Sequence, residues 1–100
     1  MEKLRVGILG LRRGMAHLRN FLAVEEAVVI GAADRLPLYR EPAEALLKPA
    51  GGKVVAEFEE LLAMRPDAVV IASNGKRQVE HACQALEAGC HVLSEVPGAD

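Results

Sequence analysis

Tryptophan and threonine are absent from these 100 residues, and the aromatics amount to two Phe and one Tyr. A core must therefore be built from Ala, Val, Leu and Ile, which suits a parallel sheet covered by helices on both faces. No apolar run approaches the ~18 residues of a membrane span. The chain enters a strand-like run directly after Met1-Glu2-Lys3, so no leader peptide and no membrane partner are expected. The 12 basic residues do not outnumber the 14 acidic ones, and the formal charge is −2. No basic stripe with interleaved aromatics occurs, so nucleic acid is not an expected partner. The two cysteines, Cys83 and Cys90, have no Cys or His at metal-ligand spacing. They are expected to be reduced thiols, Cys83 packed in the core, in a cytoplasmic protein without a metal site.

What is present is a folding pattern. The chain is 51% apolar and 26% charged, the balance of one folded domain covering residues 1–100. Short apolar runs at 4–9, 28–33, 53–55, 68–72 and 91–94 alternate with helical patterns at 14–23, 37–47, 57–64 and 76–88. In the second helix Pro42 either sits in a first turn or splits the segment. In the last helix Val79, Ala82, Cys83 and Leu86 recur at three- and four-residue spacing and are expected to face the sheet. Strands alternating with helices predict an α/β fold, a doubly wound parallel sheet in three layers. Ligands of such sheets bind beyond the C-terminal strand ends, near the switch in strand order. Four stretches of unusual residue choice fall there: Gly10–Gly14, Asp34, Ala72–Gly75 and Ser94–Pro97.

Each stretch has a chemical reading and a plainer one. Gly10-Leu11-Arg12-Arg13-Gly14 resembles a phosphate-binding turn, in which Gly allows the tight bend and the helix N-terminus attracts an anion. Arg12 stands where a second Gly is usual, and Gly14 comes one position earlier than the third. The plainer reading needs the glycines only for turn geometry. Arg12 and Arg13 cut both ways, since they crowd the backbone yet attract anions. Asp34 lies 24 positions after Gly10 (34 − 10), where a carboxylate accepts ribose hydroxyls and repels a 2′-phosphate; otherwise it caps the helix starting near Pro37. Arg35 beside it leaves NADP open as well as NAD. Ser73 and Asn74 are placed to hydrogen-bond a ribose or a nicotinamide amide, or Ser73 caps the long helix. Glu95 is a site residue or a solvated acid at a strand end. His17, His81 and His91 have no metal spacing and are expected to be structural. No catalytic constellation is found.

These residues together resemble the Gfo/Idh/MocA oxidoreductases. The resemblance is carried by Val6-Gly7-Ile8-Leu9-Gly10-Leu11, Ala16-His17, Ala32-Ala33-Asp34-Arg35 and Phe58-Glu59-Glu60-Leu61-Leu62. It continues through Pro66–Ser73, Glu80-His81-Ala82, Ala85–Gly89 and His91–Pro97. It implies an N-terminal NAD(P)-binding Rossmann domain with strand order 3-2-1-4-5, and a second domain that binds a sugar, polyol or related substrate. Four positions depart from the family pattern. Arg12 replaces a Gly. Gly75 and Gln78 replace an Asn and a His. The family's Glu-Lys-Pro reads Glu95-Val96-Pro97, and Val cannot transfer a proton.

The resemblance thus implies that the chain binds NAD through Gly10, Leu11, Arg12, Arg13, Gly14, Asp34, Arg35, Ser73, Asn74 and Glu95, without a catalytic residue of its own. Hydride transfer is expected only with a substrate domain absent from this sequence, and these residues alone are expected to be inactive. The alternative is a non-catalytic dinucleotide- or coenzyme A-binding sensor or partner module. The last apolar run, 91–94, forms the sheet edge in that strand order and has no Lys or Pro to blunt it, so a homodimer is expected.

Overall fold

Alternation along the strands divides the core in two. In β1 (Leu4–Leu9) Val6 and Ile8 point to one face of the sheet and Leu9 to the other. In β4 (Ala68–Ile71) Val70 joins the first face, and Val69 and Ile71 the second. This is the period-two signature of strands buried on both sides. A computed structural model of the chain describes residues 2–73 and 75–94. The remaining elements are α1 (Gly14–Leu22), β2 (Ala27–Ala33), α2 (Pro37–Leu47), β3 (Lys53–Val55), α3 (Phe58–Leu62), α4 (Gly75–Glu87) and β5 (His91–Ser94). All pairings are parallel, in the order β3-β2-β1-β4-β5. The expected strand order and layering are therefore observed, with α1 and α2 on one face and α3 and α4 on the other.

The first face is closed by Leu18 of α1 and by Ala43 and Leu47 of α2, all fully buried. Pro42 neither starts nor splits α2. It sits in the second turn of a continuous helix that begins at Pro37. Proline loses its bond to the carbonyl four residues back and crowds it; that residue, Leu38, is exposed to solvent.

The second face depends on a close approach. Gly7 and Gly31 are register partners, and α3 presses Leu61 against both. A Cβ on Gly31 would lie 2.7 Å from Met64 Sδ and 3.1 Å from a Leu61 methyl. The same pairing carries an irregularity. Val6 faces Val29, but Gly7 faces Gly31, so Ile30 is an extra residue in β2. This is the geometry of a β-bulge.

The expected face of α4 is corrected. Val79 is 68% and Leu86 61% exposed, and Cys83 is exposed too. Of the expected set Ala82 does face the sheet, and Gln78 and Ala85 join it there. Small side chains let the helix lie close, and the Gln78 side chain donates to the Ile71 carbonyl at 3.4 Å. The buried thiol is Cys90, not Cys83; its Sγ lies 3.3 Å from the Pro66 carbonyl oxygen. Burial, then Asp67, pushes the Cys90 pKa up, which leaves the group a protonated, unreactive thiol.

Candidate functional site

A cleft of about 950 Å³ opens beyond the C-terminal ends of β1, β2 and β4, on the side of the switch between β1 and β4. Its floor is the turn after β1. Gly10 has φ +89°, and a Cβ there would lie 2.8 Å from the Ala72 carbonyl oxygen. The turn is therefore closed to any side chain at this position. Gly10 N donates to Ala33 O at 2.9 Å, and Gly14 N to Gly10 O at 3.0 Å. Gly14 lies under the turn, where a Cβ would meet Ile8 Cγ2 at 2.8 Å, so α1 starts hard against the sheet. Arg12 and Arg13 are exposed at the mouth of the cleft. At the N-cap of α1, Arg13 makes no side-chain capping bond, and the first turn carries no acid. The positive end of the helix thus lacks a negative side chain of its own.

The second wall is the end of β2. Asp34 Oδ2 accepts from Leu11 N at 2.8 Å, and Oδ1 accepts from Leu36 N at 2.9 Å. The helix-cap reading of Asp34 is corrected, since the N-cap of α2 is Leu36. Asp34 instead ties the glycine turn to the β2 end. Each oxygen retains acceptor capacity after one such bond. Leu11 contributes its amide to this tie, while its side chain is buried in the first core. The loop is held from outside by Arg40, whose Nη1 donates to Asp34 O at 2.9 Å and to Arg35 O at 2.8 Å. Arg35 lines the cleft, and its Nε donates to Glu57 Oε1 at 3.2 Å.

The third wall comes from α3 and α4. Ser73 Oγ and His81 Nδ1 are 2.9 Å apart. The His81 ring meets Phe58 edge-on, with centroids 5.2 Å apart and planes at 73°. Burial, then the charge of Arg77, lowers the His81 pKa below 6.5, opposed in part by Glu80. The imidazole is therefore neutral near pH 7. Helix α4 begins at Gly75, so Ser73 lies one residue short of its cap position. Asn74 and Glu95 lie outside the described residues, as does Val96.

Of the residues singled out in the sequence, Gly10, Arg12, Arg13, Asp34, Arg35 and Ser73 line this one cleft. Leu11 and Gly14 build it from behind. The cleft also takes in Glu57, Phe58, Arg77 and His81, of which the sequence reading weighed only His81, as structural; it gave no role to Arg40, which braces the loop. The glycine-built floor and the acid at the end of β2 fit a dinucleotide. Backbone approaches closely at one end, and acceptors for hydroxyl groups stand at the other. Among the described residues no group of three or more His, Cys, Asp or Glu is placed to hold a metal ion. No helix among them is long and apolar enough to cross a membrane.

Residues 4–100 match the model of an oxidoreductase family with an NAD-binding Rossmann fold. The chain is 34% identical to D-glucoside 3-dehydrogenase of Escherichia coli strain K12, over 96% of this chain and 28% of that protein. It superposes with a TM-score of 0.84 on scyllo-inositol dehydrogenase from Lactobacillus casei, solved with NAD(H) and scyllo-inositol. That match is 30% identical and covers 96% of this chain and 28% of the other. A 3-ketoreductase from Actinomadura kijaniata, solved with NADP and TDP-benzene, superposes with a TM-score of 0.80 at 28% identity, covering 96% and 30%. The chain thus spans less than a third of the length of each.

Proposed function

Given that this chain belongs to the Gfo/Idh/MocA oxidoreductases and is their NAD-binding Rossmann domain, we propose that its cleft holds the dinucleotide in one defined pose. The pyrophosphate lies over the turn Gly10-Leu11-Arg12-Arg13-Gly14, against the N-terminus of α1. The adenosine ribose hydroxyls bond to Asp34, with Arg35 alongside. Ser73, Asn74 and Glu95 serve the nicotinamide half. When bound, the cofactor supplies the hydride acceptor or donor; this chain's residues bind it, orient it and shield one face from water.

The observation that carries this reading is the Asp34 carboxylate. Two backbone amides fix it at the cleft edge, with acceptor capacity left on both oxygens. Calorimetric titration tests it. NAD is expected to bind more tightly than NADP, and Asp34→Ala is expected to weaken NAD by about tenfold or more, as for a lost hydrogen bond to a charged group. Equal affinities of the parent chain for both cofactors at low salt would overturn the assignment.

The same proposal extends to the rest of the protein. The dehydrogenases of sugars and polyols among its relatives support a substrate of that class, held by a second domain beyond these residues. The 100-residue chain alone is then expected to form no NADH from sugars or polyols, and NADH above a protein-free control refutes this. A cytoplasmic location agrees with Cys83 and Cys90 as free thiols. Self-association as a dimer is supported by Val79, Leu86 and Leu93, exposed on the adjacent elements α4 and β5. A monomer at every concentration in sedimentation would count against it.

A further inference from the structure

The sequence leaves the choice between NAD and NADP open at Arg35, because a guanidinium next to the ribose acid is a ready partner for a 2′-phosphate. The structure adds a competitor for that guanidinium. Glu57 is the N-cap of α3, in extended conformation, and its carboxylate is held by the backbone of the third helical residue. Glu60 reaches back to the Glu57 amide, completing a capping box. The strand before Glu57 is β3, which runs beside β2, and Asp34 N donates to Val55 O at 3.1 Å. The cap and the strand pairing together bring the Glu57 carboxylate to 3.2 Å from Arg35 Nε.

We propose that Glu57 is a specificity-determining residue: by holding the Arg35 guanidinium it denies a 2′-phosphate its counter-charge and biases the site towards NAD. The proposal rests on the reading of this cleft as the dinucleotide site. A phosphate beside Asp34 meets the Asp34 carboxylate, whose orientation is fixed by Leu11 N and Leu36 N. It then competes with a second carboxylate for Arg35. Arg40 is a poor substitute, because its Nη1 is engaged by the carbonyl oxygens of Asp34 and Arg35. The pair also sets the size of the effect. The two side chains are 62% and 46% exposed, and an ion pair of that kind contributes at most about 1 kcal/mol, which is about a five-fold change in affinity.

The test is the ratio Kd(NADP)/Kd(NAD), measured by calorimetry at low salt on the 100-residue chain and its variants. Glu57→Gln and Glu57→Ser both keep an acceptor for the helix cap. Gln removes the charge, and Ser removes the reach to Arg35 as well. The ratio is expected to fall about three- to five-fold in each. In an Arg35→Ala background the same substitutions are expected to leave it unchanged. An unchanged ratio in either folded Glu57 variant, checked by circular dichroism, overturns the proposal. A fall that persists without Arg35 overturns it too. If the parent chain binds NAD but the ratio does not move, only this inference fails; if it binds neither dinucleotide, the assignment of the cleft fails with it.

Discussion

The two sides of the cleft are built from different materials. On the β1–β2 side the functional groups are backbone or are fixed by backbone: the Gly10 turn, the Leu11 amide and the Asp34 carboxylate between two amides. On the α3–α4 side they are side chains holding side chains: Ser73 with His81, and His81 with Phe58. The first kind of wall is inseparable from the fold, because the bonds that shape it also close the sheet. The second kind rests on Ser73 and His81, half-buried side chains set against the Phe58 ring, which itself belongs to the core with Leu61 and Ala85. Damage to the first wall should therefore cost stability and binding together, and loss of Ser73 or His81 should cost binding with little stability.

Gly10→Ala is the strongest way to break this contrast. The substituent would be held at φ +89°, 2.8 Å from the Ala72 carbonyl oxygen. A non-glycine residue in that backbone region costs of order 1–3 kcal/mol before the clash is counted. Thermal denaturation is expected to show a loss of that size or more, and NAD titration no measurable binding. A stable variant that binds normally would show that the turn is not the scaffold described.

Asp34→Ala should have the next largest effect on stability. It leaves the Leu11 and Leu36 amides without their carboxylate acceptor. Because the site is only half-buried, water can replace part of what is lost, and a cost of about 1–2 kcal/mol is expected in denaturant unfolding. Ser73→Ala, on the other wall, removes one half-buried side-chain pair and is expected to cost less than about 1 kcal/mol. A Ser73→Ala cost equal to that of Asp34→Ala would erase the distinction between the walls.

The smallest effect is one of pH. The folded-state pKa of His81 is lowered by burial and by Arg77. Between that lowered value and 6.5 the unfolded chain binds a proton that the folded chain does not, so stability rises with pH across the window. Above 6.5 the slope from His81 fades as the unfolded chain loses its proton too. His81→Gln is expected to flatten the profile between the two values, with the difference in slope fading above 6.5. An identical slope in parent and variant would place His81 in contact with solvent rather than against Phe58.

The same contrast explains what was legible in the sequence. Apolar runs at 4–9, 53–55 and 91–94 became strands with those bounds, and α2 spans 37–47 as its pattern predicts. Glycine and acid positions on the first wall were legible because backbone geometry restricts which residues can stand there. His81 was not, since Phe58 lies 23 positions earlier (81 − 58) on another helix and no local pattern links them. Arg40 was missed for a similar reason; it acts on carbonyl groups, which any residue supplies. The face of α4 was misread because the helix carries two stripes. The more apolar one, Val79, Cys83 and Leu86, is the exposed one, while the small Ala82 and Ala85 lie against the sheet beside Gln78, which reaches the end of β4.

The extra residue at Ile30 bears on how such domains are compared. Val29 and Ala32 are three apart, yet both belong to the core beneath α1 and α2, which strict alternation forbids. The bulge resets the phase of β2, so Asp34 arrives at the cleft edge although the count from Gly10 is longer by one than the paired strands require. The interval between turn and acid is thus an elastic coordinate. A chain lacking the bulge should present the same carboxylate one position sooner, and an alignment that penalises the missing residue as a gap would mistake a change of phase for a change of function.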